Sequence, residues 1–101
     1  MSDWYVYIVS NNAHTLYTGA TSNLPRRVYQ HKNRTYRTSF TARYTFDRLV
    51  YFELAGPQKV AIAREQQIKK WPRRRRVALI LAMNPKWEDL SVRCSPEHLL
   101  A

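Results

Sequence analysis

The chain reads as a small α/β protein of the α+β kind: a three-stranded antiparallel sheet flanked by helices, in the order β-β-α-β-α-α. Three observations predict this. Its 101 residues suffice for one domain with a modest core and leave no room for a second domain. Two stretches, 4–9 and 48–54, are dense in aromatic and β-branched side chains, which favour a half-buried pleated surface. Pro25, Pro57 and Pro72 punctuate three further stretches of helical character.

Each element follows in turn. Residues 4–9 alternate aromatic and β-branched residues, as a strand does. Ser10, Asn11, Asn12 and Ala13 supply turn chemistry, and residues 14–20 resume a strand, so the first twenty residues form a hairpin. Gly19 near its end permits a bend or a close backbone approach. Asn23 suits an N-cap and Pro25 the first turn of a helix running to about residue 32. Residues 33–46 lack a period and read as a long surface loop. Residues 48–54 form the third strand. A second helix covers roughly 57–71, Trp71-Pro72 breaks it, and a third covers about 73–83. Asn84-Pro85 caps a short last turn. The domain is expected over 1–90, with an irregular tail over 91–101.

Bulk properties narrow the class. A hydrophobic fraction of 45% is that of a folded protein rather than a disordered one. The first apolar run stops at Ser10 with no Lys or Arg before it, unlike a signal peptide. The longest apolar stretch, 77–83, is too short to span a bilayer. Cys94 is the single cysteine, so an internal disulfide and a multi-cysteine zinc site are excluded. A cytoplasmic, non-membrane protein is expected. Oligomeric state has no signature in the chain.

Charge is more informative. Seventeen Lys and Arg against seven Asp and Glu give a net +10. Between Asp3 and Asp47 no carboxylate occurs, while Arg26, Arg27, Lys32, Arg34, Arg37 and Arg43 do. Between Glu53 and Glu88 the one acid is Glu65, set among Arg64, Lys69, Lys70, Arg73, Arg74, Arg75 and Arg76. Such a surface attracts polyanions, nucleic acid above all. Arg26, Lys32, Lys69, Lys70, Arg73 and Arg74 are the expected phosphate contacts. Tyr36, Phe40 and Tyr44 offer rings that could stack on unpaired bases or cover a sheet edge.

The sequence has no Gly-rich phosphate loop, no zinc-spaced Cys or His cluster and no Gly-x-Ser-x-Gly elbow. Phosphodiester hydrolysis needs an activated water, charge stabilisation on the phosphoryl oxygens, and help for the leaving oxygen. One divalent metal and one Arg supply most of that electrostatics. Tyr7 and Tyr17 lie on the two hairpin arms, close enough to pair across it. Arg27 and His31, at i and i+4, share a helix face. Tyr5-Val6-Tyr7, then Tyr17-Thr18-Gly19, Arg27, His31 and a helix bearing Arg64-Glu65-Gln66-Gln67-Ile68-Lys69-Lys70-Trp71 resemble the GIY-YIG nuclease motifs. The resemblance spans about residues 4–90 and is closest to small stand-alone bacterial members, related to the N-terminal nuclease of the excision-repair incision subunit. The ending Asn84-Pro85-Lys86-Trp87-Glu88-Asp89-Leu90 is similar to that branch. Two positions depart from the motif: Tyr5 stands for its first Gly and Thr18 for its Ile.

That resemblance implies roles. Tyr17 would receive or relay the proton of the attacking water, supported by Tyr7. Arg27 would contact the scissile phosphate, and His31 would orient a tyrosine or the water. Glu65 would hold one Mg²⁺ or Mn²⁺, with waters and substrate phosphate completing the shell. DNA is favoured over RNA as the substrate. Plainer readings stand beside these. Tyr7 and Tyr17 could be a cross-strand aromatic pair, Arg27 a surface cation, and His31 a structural residue. At about 100° per residue, Val60, Ala61, Ala63, Ile68 and Trp71 form an apolar arc, with Glu65 at its edge and Arg64 inside it. Glu65 could then pair with Lys69 at i+4. A metal-dependent endonuclease is the first reading. A non-catalytic nucleic-acid-binding module on the same fold is the second, and a protein-interaction adaptor the third.

Overall fold

The computed structural model describes residues 3–32 and 46–91. The order of elements is β1 (Trp4–Ser10), β2 (Leu16–Thr21), α1 (Leu24–Lys32), β3 (Arg48–Gly56), α2 (Gln58–Lys69) and α3 (Arg73–Met83). This is the expected α+β arrangement. The strands form one sheet in the order β2-β1-β3, with β1 antiparallel to both neighbours.

The central strand explains itself by composition. Val6, Tyr7, Ile8 and Val9 are fully buried, so alternate side chains feed two separate cores rather than one core and solvent. Val6 and Ile8 join Leu16, Val50, Tyr51, Ala61, Ile68 and Ile80 beneath α2 and α3. Tyr7 and Val9 join Leu24, Val28, Phe46, Leu49 and Leu90 beneath α1. Burying each such Ile, Leu or Val contributes about 1.5–3 kcal/mol. Phe46, assigned from sequence to a surface loop, is 1% exposed and belongs to the second core. The rest of that loop, with Tyr36, Phe40 and Tyr44, lies outside the described residues, as does the tail after Ser91.

Helix ends follow their sequence signals. Asn23 caps α1, its Oδ1 accepting the Arg26 N–H at 3.2 Å. Gly56 takes φ +78°, a left-handed turn that closes β3, and Pro57 precedes the first helical residue of α2. Pro72 separates α2 from α3.

The apolar arc proposed for α2 is corrected. Ala61 and Ile68 are buried, but Val60 is 51% exposed and Ala63 is also outward. The stripe facing the sheet is 61, 64, 65, 68, spaced i, i+3, i+4, i+7. Its two middle members are Arg64 and Glu65. Arg64 donates to both carboxylate oxygens of Glu53 on β3, at 3.0 and 3.2 Å, and to Gln67 at 2.9 Å. Its guanidinium also lies 5.2 Å from the Trp71 ring centroid, with Arg75 at 4.0 Å from that ring. An arginine within a sheet-facing stripe is thus accounted for by an ion pair and ring stacking. Glu53 in turn accepts from the Tyr51 hydroxyl at 2.5 Å. Burial, followed by that hydrogen bond and the Glu53 charge, pushes Tyr51 up to about 12.

Candidate active site

A polar pocket of about 330 Å³ opens over β2, one of the two edge strands, and is lined by Trp4, Tyr7, Tyr17, Gly19, Ala20, Arg27, Ile62 and Glu65. Each element contributes for a local reason. Tyr7 pairs in register with Gly19, and Val9 with Tyr17. The two tyrosines are therefore diagonal neighbours on one face, not the direct cross-strand pair that the hairpin suggested. A Cβ on Gly19 would lie 2.5 Å from the Tyr7 hydroxyl oxygen and 2.6 Å from its Cζ. The glycine is needed because the Tyr7 ring lies flush against the backbone of β2.

Helix α1 brings Arg27 and His31. His31 is 3% exposed, and its Nε2 lies 2.9 Å from the Tyr7 hydroxyl. Its ring centroid is 5.6 Å from that of Tyr7 and 5.1 Å from that of Tyr17. Burial, reinforced by the positive charge of Arg27, lowers His31 to about 4. At neutral pH the imidazole is uncharged, so Nε2 accepts the Tyr7 proton in one tautomer and donates in the other. Tyr7 is fully buried while Tyr17 is only partly so, which makes Tyr17 the more accessible of the two pocket tyrosines.

Helix α2 brings Glu65 to the β2 side of the sheet, opposite in sense to Arg64. Among the described residues lining the pocket it is the one carboxylate. Its Oε2 lies 3.5 Å from Lys69 Nζ, one turn on, and that ammonium is 5.9 Å from the Tyr17 ring centroid. No group of three or more His, Cys, Asp or Glu that could cage a metal occurs among the described residues. A lone carboxylate in an open polar pocket suits a hard divalent ion completed by water and phosphate oxygens, and does not suit a tightly held structural metal.

Tyr7, Tyr17, Arg27 and Glu65 are thus brought to one pocket, with His31 directly behind Tyr7. Sequence reasoning missed Trp4, Ala20 and Ile62 as pocket walls. Their signal was faint: Trp4 opens β1, and Ile62, 38% exposed, is an apolar residue on the outer side of α2. Arg26 and Arg27 also line a second polar pocket of about 250 Å³ with Thr21, Ser22, Asn23 and Gln30. Lys70, Arg73 and Arg74 are exposed. Lys32 stands apart from both pockets. Its ammonium donates to Asp89 at 2.6 Å and to the Ser91 hydroxyl at 2.8 Å, so this cation is committed within the fold. Asn84 is likewise structural: 2% exposed, it donates to the Val50 and Glu88 carbonyls and accepts the Glu88 N–H.

Residues 3–78 match the model of the GIY-YIG catalytic domain. The chain belongs to the GIY-YIG family. Among curated relatives, a UPF0213 protein of Syntrophus aciditrophicus is 36% identical over 86 residues, covering 85% of this chain and 98% of the relative. A UPF0213 protein of Clostridium perfringens is 38% identical over 89 residues, covering 84% and 90%. The solution NMR structure of a UPF0213 protein from Bacillus halodurans aligns with a TM-score of 0.55 at 25% identity, covering 92% of this chain and 98% of that one. Of the residues that resemble the GIY-YIG motifs, Tyr7, Tyr17, Gly19, Arg27 and Glu65 line the pocket. Among the described residues, no helix of this GIY-YIG domain is long and apolar enough to cross a membrane.

Proposed function

We propose that the chain is a divalent-metal-dependent endonuclease that hydrolyses phosphodiesters, with DNA favoured over RNA, in repair or processing of structured DNA in the cytoplasm. The observation that carries this reading is the convergence of Tyr7, Tyr17, Arg27 and Glu65, from four separate elements, on one polar pocket.

In this reading the scissile phosphate sits in the pocket against Arg27. The guanidinium fork donates to its non-bridging oxygens and stabilises the charge that develops on them. A water oxygen bonds to phosphorus, one P–O ester bond breaks, the water proton passes to the oxygen of Tyr17 as phenolate, and the departing ester oxygen takes a proton from solvent. A tyrosine, with an ordinary pKa of about 10, serves as a base only beside positive charge. Arg27 in the same pocket supplies that charge. Tyr7, held by His31, fixes the floor against which Tyr17 and the water are ordered. Glu65 would hold the single Mg²⁺ or Mn²⁺, which when bound supplies Lewis-acid charge for the leaving oxygen.

The second pocket shares Arg27 and adds Arg26, which suits it to a neighbouring phosphate of the same strand. Lys69, Lys70, Arg73 and Arg74 extend the positive surface along α2 and into α3 and steer the polyanion electrostatically.

Cleavage of labelled duplex, single-stranded, flapped and branched DNA, and of RNA, tests this with Mg²⁺, Mn²⁺ or EDTA. Metal-dependent products that are absent from the Glu65→Ala protein are expected. Binding across the whole panel without turnover would overturn the enzymatic reading in favour of a basic binding module.

A further inference from the structure

Lys69 occupies an unusual place for one more surface cation. It lies one helical turn beyond Glu65, with Nζ 3.5 Å from Oε2, and the same Nζ is 5.9 Å from the Tyr17 ring centroid. The Lys69 side chain is 47% exposed, while that of Glu65 is only 18% exposed. The ammonium therefore sits at the pocket margin between the two groups, on a flexible stem that can swing out to solvent.

We propose that Lys69 is the resident counter-ion of Glu65 and competes with the divalent cation for its carboxylate, so that loading is weak until Lys69 is drawn away. The inference rests on the reading of Glu65 as the metal-binding residue and adds a second residue that sets how readily that carboxylate is available. A hard divalent ion needs the same oxygen that Lys69 neutralises, and like charges within a few ångströms repel. One carboxylate on a domain of net charge +10 has little attraction to spare. Nucleic-acid phosphates approaching the pocket offer the ammonium an alternative partner. When Lys69 turns to a phosphate oxygen, Glu65 is uncovered at the moment substrate arrives. Metal loading and substrate binding are thereby coupled through one side chain.

Removing the Lys69 charge should tighten binding about tenfold by Coulomb's law at ~5 Å in water, reduced by salt screening to threefold or more. The test is a Mn²⁺ titration of the full chain without nucleic acid, followed by paramagnetic broadening of backbone amide NMR signals in β2 and α2. In Lys69→Met, the Glu65 region is expected to broaden at a Mn²⁺ concentration at least threefold below that for wild type. Lys69→Arg, which keeps the charge, should stay near wild type. Equal or weaker broadening in Lys69→Met overturns the proposal. The Lys69→Met, Glu65→Gln double variant separates the two layers. Broadening lost there supports Glu65 as the ligand, whereas broadening retained overturns that reading and the competition with it. Amide spectra of each variant report directly whether the fold is intact.

Discussion

Tyr7 and Gly19 depend on each other at atomic range, because the ring of one occupies the space that any side chain on the other would need. Gly19→Ala should therefore cost about 1–3 kcal/mol, as overpacking of a tight site does. It should also displace the Tyr7 hydroxyl from His31, so thermal melts and cleavage rates ought to fall together. His31 carries a pH signature of its own. Its folded value near 4 lies below the ordinary 6.5, so the unfolded chain binds the proton first. Stability is then fully present above about pH 6.5 and drains away as pH falls toward 4, by of order 3 kcal/mol. The melting temperature of His31→Gln, measured from pH 7 to 4, should lose this part of the acid sensitivity. Thr18 replaces the usual Ile of the second motif tripeptide. It is 3% exposed, and its hydroxyl has no hydrogen-bond partner among the described residues. Thr18→Val removes that buried polar atom at nearly constant shape and should stabilise the protein by about 1 kcal/mol in chemical denaturation.

Elements position these residues, and their legibility in the sequence differed for physical reasons. The third helix, expected at 73–83, is observed at Arg73–Met83, because Pro72 and Asn84 mark its ends chemically. The strands extend one or two residues beyond expectation at β1 and β3, since pairing across a central strand recruits flanking residues whatever their propensity. What could not be read was partnership at a distance. The helical wheel of α2 places Arg64 inside the apolar arc but does not name its partner, for the Glu53 carboxylate that pairs with it comes from β3 and the Trp71 ring from beyond the helix end. Register was hidden in the same way: one cannot tell from spacing alone that Tyr7 faces Gly19 rather than Tyr17. Asn84 was legible as a cap but not as the side chain that ties α3 to β3 through the Val50 carbonyl. Asn84→Ala leaves that carbonyl and the Glu88 backbone groups without their partner. A loss of about 2 kcal/mol in denaturant unfolding is expected, with the pocket chemistry untouched in the folded fraction.

At the scale of the whole molecule, the sheet supports a division of labour. Two cores, one on each face of β1, fix α1 and α2 on opposite faces of the sheet. The pocket residues are far apart in sequence because they come from different elements of the fold, and in the proposed reading they surround one phosphate. The charge of +10 draws any polyanion, whereas the pocket at β2 is where a particular bond would be broken. Measuring single-turnover cleavage by Arg27→Ala and Glu65→Ala beside wild type, with amide spectra to verify the fold, tests this most directly. A loss of at least about 100-fold is expected in each variant, in line with the removal of a main electrostatic contributor to a transition state. Wild-type rates in both variants, on a substrate the wild-type protein cuts, would contradict it.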